Sequence, residues 1–173
     1  MNVELIVPKI EDYYYEEKIQ SDPKTMNYNA GYDVSYFGYH YDTGCIDFPK
    51  SRWEEVYNKR LNDDRFFAYI KDNNNNEFVG YANYQYDKEE NRYTCGILIE
   101  DKYRGKGYSK IALELLLNEA KKKGIKELYD NFEYSRTSAL NLFLSFGFEI
   151  YEKTKWKKFD EYVDGVVVRK VLK

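Results

Sequence analysis

Residues Gly96–Lys110 read GILIEDKYRGKGYSK. An apolar run, Ile97, Leu98 and Ile99, leads into a turn that holds Gly105 and Gly107. A helical period follows, with Tyr108, Ile111, Ala112, Leu115 and Leu116 on one face and Glu114, Lys121 and Lys122 outside it. The stretch therefore predicts a strand, a glycine turn and a strong helix. The first N–H groups of a helix have no partner inside it, and its dipole adds roughly half a positive charge at that end. Glycine has no Cβ, so an anion can reach the backbone closely. Lys102, Arg104, Lys106 and Lys110 add positive charge around the turn. Those features make a phosphate cradle. It is not a Walker loop, because Tyr108 follows Gly107, and a dinucleotide fingerprint fails where Lys110 replaces the third glycine.

Downstream, Gly124 is placed to end the helix as its C′ residue. Ile125–Phe132 reads as a strand. Ala139, Leu142, Phe143 and Phe146 mark a second helix, with Ser135 as its expected N-cap and Gly147 as its stop. Two strands, Phe148–Trp156 and Val163–Leu172, close the chain around a turn expected at Asp160–Gly165. Upstream, Arg65–Lys71, Glu77–Tyr86 and Arg92–Ile99 form a meander separated by Asp/Asn-rich turns. Val3–Val7 reads as a first strand and Glu11–Gln20 as a short helix. Ser51 and Glu54 suggest a capping box ahead of a helix running to about Leu61. Ser21–Pro49 has no reliable period and reads as a long aromatic loop with short helical pieces. The order is α/β with a mixed sheet.

The chain has 173 residues, and domains usually hold roughly 100–200, so one domain over 1–173 is expected. With 43% hydrophobic and 33% charged residues the composition is globular. No apolar run approaches the ~20 residues of a membrane span, and no leader peptide is expected. Acidic residues number 30 and basic 27, a balance that argues against a dedicated nucleic-acid binder. Cys45 and Cys95 cannot build a four-ligand zinc site and are expected to be reduced, buried thiols in a cytoplasmic protein. His40 is the only histidine, which argues against a His-based metal site and most triads. Tyrosine is abundant, at 20 residues. Five of them, with Phe37, crowd Tyr28–Tyr41. They are either amphipathic core and rim or the wall of a pocket for a small or cationic acceptor. The lysines of Lys153–Lys158 read as a solvated face.

Arg104-Gly105-Lys106-Gly107-Tyr108-Ser109 resembles the Q/R-x-x-G-x-G/A signature of the GNAT N-acetyltransferase superfamily. Ser109 stands where Gly or Ala is usual. Ala139–Phe148 (ALNLFLSFGF) resembles the family's A-x-x-L-Y-x-x-x-G-F segment. The resemblance covers about Phe66–Leu172. It implies a GNAT-type acyl-CoA N-acyltransferase fold: a mixed, mostly antiparallel sheet with splayed central strands and flanking helices. Residues 66–172 would then be the coenzyme-binding core and 1–65 a variable acceptor-side region. It implies acetyl-CoA as cosubstrate, no metal, and a homodimer as an option.

By the same resemblance, the backbone of Ile97, Leu98 and Ile99 would bond the pantetheine arm, and Arg104, Gly105, Lys106, Gly107, Tyr108, Ser109 and Lys110 would surround the pyrophosphate. Arg136 stands where the family often has Asn; it reaches a coenzyme phosphate or is a solvated helix-start residue. Phe143 falls where the family's thiolate-protonating tyrosine stands, and phenylalanine cannot donate a proton. Tyr134, Tyr108 or a water would substitute, or the thiolate leaves unassisted. Asn131 falls where some members keep a basic carboxylate. Glu133 is close to it but is expected on the other face, and Glu100, Asp130 and His40 are further base candidates. The acceptor pocket is assigned to Tyr28, Tyr32, Tyr36 and Phe37. The implied reaction is acetyl transfer from acetyl-CoA to a primary amine of a small molecule or of a protein or peptide N-terminus. The alternatives are a non-catalytic acyl-CoA binding or sensing module, and an interaction protein that takes no coenzyme.

Overall fold

The structure is a computed structural model that describes residues 1–173. Its chain runs β1 (Val3–Ile6), α1 (Tyr13–Gln20), α2 (Pro23–Met26), α3 (Trp53–Arg60), β2 (Arg65–Asp72), β3 (Glu77–Asp87), β4 (Arg92–Ile99), α4 (Tyr108–Lys122), β5 (Glu127–Glu133), α5 (Thr137–Ser145), β6 (Glu149–Lys158) and β7 (Glu161–Val171). One seven-stranded sheet has the order β1-β2-β3-β4-β5-β7-β6. Every pairing is antiparallel except β4 with β5. No helix is long and apolar enough to cross a membrane.

Two apolar clusters flank the sheet. On one face α4 and α5 pack a 21-residue cluster that includes Ala112, Leu116, Leu128, Phe132, Phe143 and Val166. On the other, α1–α3 and their connections pack a nine-residue cluster of mostly aromatic side chains, with Tyr13, Phe48, Phe67 and Tyr69. A buried ion pair ties this second layer together. Arg60 grips Glu16 through both its terminal nitrogens, at 3.0 and 2.7 Å, and lies 3.5 Å over the Phe67 ring.

The expected elements are present, with local corrections. The helix around Trp53 has no capping box: Ser51 lies in a 3-10 turn and Arg52 takes the N-cap position without a side-chain bond. Ser135 is displaced from the N-cap of α5 by Arg136, because Ser135 offers its carbonyl to Thr137 instead. The last turn is two residues, Phe159 and Asp160, both at positive φ. Gly165 is inside β7, where the Trp156 ring covers it. The buried face of α4 is centred on Tyr108, Ala112, Leu113, Leu116, Leu117 and Ala120, so Ile111 and Leu115 are at its margin.

Candidate active site

β3 and β4 pair along their whole length, from Asp87↔Arg92 to Gly80↔Ile99. β4 and β5 share one bridge, Thr94↔Tyr129, and then diverge. Parallel neighbours can only diverge by leaving peptide groups unpaired, and such groups need another partner. Cys95–Ile99 on one side and Asp130–Glu133 on the other therefore form a V-shaped gap with strand-edge hydrogen-bonding capacity. The splay expected of β4 is present, and Ile97, Leu98 and Ile99 line it.

The gap opens toward the N-terminus of α4. Gly107 is the N-cap there, at φ 90°, and no side chain caps the helix. Gly105 and Gly107 both have positive φ, and a Cβ on either would meet nothing within 4 Å. The N–H groups of Gly105, Lys106 and Gly107 serve no backbone carbonyl. This open cradle fits a diphosphate. Lys106 holds its ammonium 5.7 Å from the Tyr103 ring beside the turn, and Lys110 is exposed on the first turn of α4. The Arg104 guanidinium turns away, to the carbonyls of Ile99 (3.1 Å), Lys24 (3.3 Å) and Thr25 (2.8 Å), and so bolts α2 onto the end of β4. The Asp101 N–H bonds Thr25 Oγ1 at 3.1 Å and reinforces the same joint. The Tyr108 side chain also points away from the cradle: its hydroxyl donates to buried Asp72 Oδ2 at 2.6 Å.

Asp130 is the first β5 residue past the bridge. The residue is half-buried, but burial of its carboxyl pushes its pKa up to about 7, against the opposing N–H of Asn131 and the charge of Arg136. A group with that pKa changes protonation at neutral pH, which suits acid–base work. Cys95 lies opposite on β4, and burial pushes its thiol far up, so it is an unreactive neighbour. Asn131 is exposed. Glu133 shares its face, contrary to expectation, because residues two apart in a strand point the same way. Glu133 bonds the Lys158 ammonium at 3.0 Å, with both side chains largely buried. Lys158 thus leaves the solvated face assigned to Lys153–Lys158. Partial burial, and then the facing Glu133 carboxylate, push the Tyr32 hydroxyl up to about 12.

The aromatic loop closes over the far side of the gap. Phe159, at the tip of the β6–β7 hairpin, donates its N–H to the Gly31 carbonyl at 2.9 Å. Its ring lies so close that a Cβ on Gly31 would come within 2.5 Å. Of the four residues assigned to the acceptor pocket, Tyr28 packs on the aromatic layer with Arg136 5.1 Å over its ring, and Tyr32 carries the Lys158 ammonium 5.3 Å over its ring. Tyr36 is exposed and meets the Tyr39 ring edge-on. Phe37 is 53% exposed and carries Arg52 over its ring at 4.3 Å, so it belongs to the outer surface.

Other candidates are engaged elsewhere. His40 pairs with Asp47 at 2.9 Å in an exposed part of the loop. Glu100 accepts from Tyr15 at 3.2 Å. Tyr134 is 40% exposed beneath Lys153. Phe143 packs against Phe132 and Phe148. The joints made by Arg104 and Lys158 were missed in the sequence, since nothing local couples residue 104 to 25 or 158 to 133.

The model of the acetyltransferase (GNAT) family matches residues 27–148. The structure resembles an N-acetyltransferase from Staphylococcus aureus Mu50, with a TM-score of 0.76 and 19% identity over 100% of both chains. It resembles a GNAT-family acetyltransferase from Streptococcus pneumoniae, with a TM-score of 0.77 and 15% identity over 98% of this chain and 99% of that one. Spermidine N-acetyltransferase from Vibrio cholerae, solved in complex with CoA and spermine, gives a TM-score of 0.77 and 15% identity over 98% and 95%. At these identities the likeness is one of fold. No curated protein matches the chain in sequence.

Proposed function

The chain belongs to the acetyltransferase (GNAT) family, and on that premise we propose that it moves an acetyl group from acetyl-CoA directly to a primary amine, carried by a small molecule or by a protein or peptide N-terminus. The observation that carries this reading is the divergence of β4 from β5 beyond a single bridge, opening onto an uncapped, glycine-lined helix N-terminus. The free strand edge suits the amide-bearing pantetheine arm, and the cradle suits the pyrophosphate. The whole chain acts as one domain in this reading. Residues 66–172 bind the coenzyme and 1–65 shape the acceptor side. The complex of the Vibrio cholerae neighbour with spermine supports a small amine as acceptor.

An amine with a pKa near ~10.4 is protonated at neutral pH and cannot attack. Asp130, inside the gap, takes that proton. Its carboxyl, raised to about 7, is a base strong enough to matter and still partly ionised at neutral pH. Glu133 holds the Lys158 ammonium and the Tyr32 hydroxyl, and so fixes the acceptor wall. Arg136, exposed and without a carboxylate ion-pair partner, is free to meet a coenzyme phosphate at the mouth of the gap.

Isothermal titration with acetyl-CoA, followed by thiol release with a panel of amines, tests this. Binding with amine-dependent thiol release is expected. No binding at millimolar acetyl-CoA would reject the cradle. Binding without release by any amine would favour the sensing module, for which the phenylalanine at 143 is the specific argument.

A further inference from the structure

We propose that Arg104, the cation just before the cradle turn, is a positioning residue for the acceptor and not a ligand of the coenzyme. It sets α2, and the acceptor loop that follows α2, against the end of β4. This rests on the transferase reading above.

The segment Glu100–Arg104 joins the open edge of β4 to the glycine turn, and its side contacts run to the acceptor layer. Buried Glu100 accepts from the Tyr15 hydroxyl of α1 at 3.2 Å. The Asp101 N–H donates to Thr25 Oγ1 at 3.1 Å. Thr25, fully buried in α2, donates in turn to Asp22 Oδ2 at 3.0 Å. The Arg104 guanidinium closes the set, giving one nitrogen to the Ile99 carbonyl and the other two to the carbonyls of Lys24 and Thr25. A guanidinium is a rigid planar fork. With one tine on β4 and two on α2, it fixes both the distance and the angle between them. The Asp101 carboxylate, 3.5 Å away, offsets its charge, so little of that charge is left for a phosphate.

The chain after α2 carries the acceptor wall. The 3-10 turn Asn27–Asn29 follows α2 without a break. Gly31 then accepts the Phe159 N–H from the hairpin tip at 2.9 Å. Tyr32, next in line, lies 5.3 Å under the Lys158 ammonium. A connection this short transmits any shift of α2 to Gly31 and Tyr32. The cradle has no such dependence. Gly105 and Gly107 hold its shape by their own positive φ, and α4 behind it is anchored by its buried face. Loss of the Arg104 joint therefore displaces the acceptor wall and leaves the coenzyme site in place.

The test is Arg104→Met, which keeps the length and removes charge and donors, beside Arg104→Lys, which keeps the charge but not the fork. The Arg104 side chain is 39% exposed, so water takes the freed carbonyls and the variants fold. Wild type is measured in parallel with the same amine. For Arg104→Met, KM for the amine is expected to rise roughly tenfold, the scale of one lost hydrogen bond to a charged group. Its kcat is expected within about threefold of wild type, and its acetyl-CoA Kd from titration within about twofold. Arg104→Lys should keep a raised KM, because one ammonium cannot span three carbonyls. Thr25→Val, which cuts the Asp101 contact, should raise KM in the same direction and combine with Arg104→Met less than additively, since both act through one joint. A weakened acetyl-CoA Kd that Arg104→Lys restores would make Arg104 a coenzyme ligand and overturn the assignment. An acceptor KM within twofold of wild type, with only Tm lowered, would overturn it as well. A wild-type chain that binds acetyl-CoA but acetylates no amine overturns the transferase reading, and this assignment with it.

Discussion

On the α4 side of the gap, the groups that face it are main-chain: the open edge of β4 and the N–H groups of Gly105–Lys110. On the α1–α3 side they are side chains, Tyr32 with the Glu133–Lys158 pair, delivered by a loop and a hairpin that meet only in three dimensions. The difference teaches where each half can vary. A main-chain cradle tolerates many side chains, provided that the glycines keep their conformation. A side-chain wall can be rebuilt residue by residue, and is the natural place for acceptor specificity.

The largest expected effect removes the scaffold of the side-chain half. Arg60→Ala leaves Glu16 buried without its partner, and breaking a buried pair costs about 3–5 kcal/mol. For a chain of this size that is a fall in Tm of roughly 6–20 °C, read by calorimetry. A shift under about 2 °C would show that the pair does not hold the aromatic layer. Next, Gly107→Asp places a carboxylate at the main-chain cradle, at a φ of 90° that disfavours side chains. Acetyl-CoA affinity should fall at least ~100-fold, about 2.7 kcal/mol, with the circular dichroism spectrum unchanged. Retained affinity would move the coenzyme off α4.

Asp130→Asn tests the seam between the halves. A carboxyl raised from 3.8 to about 7 destabilises the fold when ionised. This cost is absent below the unfolded pKa near 4, grows as pH rises, and is complete above about pH 7. The variant should therefore be more stable than wild type by roughly 2 kcal/mol at pH 8. That is half the value for the full rise, because the residue keeps some water, and the gain should vanish near pH 4. A kcat that rises with pH up to about 7 is expected of wild type, and the variant should lose that rise. Equal Tm at pH 8, or an unaltered pH profile, would remove Asp130 from the gap's chemistry. Smallest is Phe37→Ala on the outer surface, expected within ~0.5 kcal/mol in stability and without effect on turnover. An altered acceptor KM would extend the side-chain wall further out than the geometry draws it.

The legibility of the two halves follows the same division. Gly105, Gly107 and the 3.6-residue period after them are local signals, so the cradle and α4 could be read directly. The meander strands were marked by alternation between Asp/Asn-rich turns. Helix starts were the weak point: Ser51 and Ser135 look like N-caps, but local turn geometry put Arg52 and Arg136 there. In the loop, Tyr28 and Phe37 are equally aromatic in sequence, yet one packs on the aromatic layer under Arg136 and the other lies under Arg52 on the surface. Arg104 looked like a phosphate ligand because its charge is adjacent to the cradle; its partners are carbonyls about 80 positions away in the chain.

The sequence alone determined the strand–turn–helix unit, the order of elements and the family resemblance, because each rests on backbone preferences and periodicities set within a few residues. The tertiary structure alone decided which carboxylate is buried, which tyrosine faces the Glu133–Lys158 pair and which cations are spent on joints. Burial, charge and hydrogen-bond partnership at those positions come from segments far apart in the chain, and no local pattern encodes them.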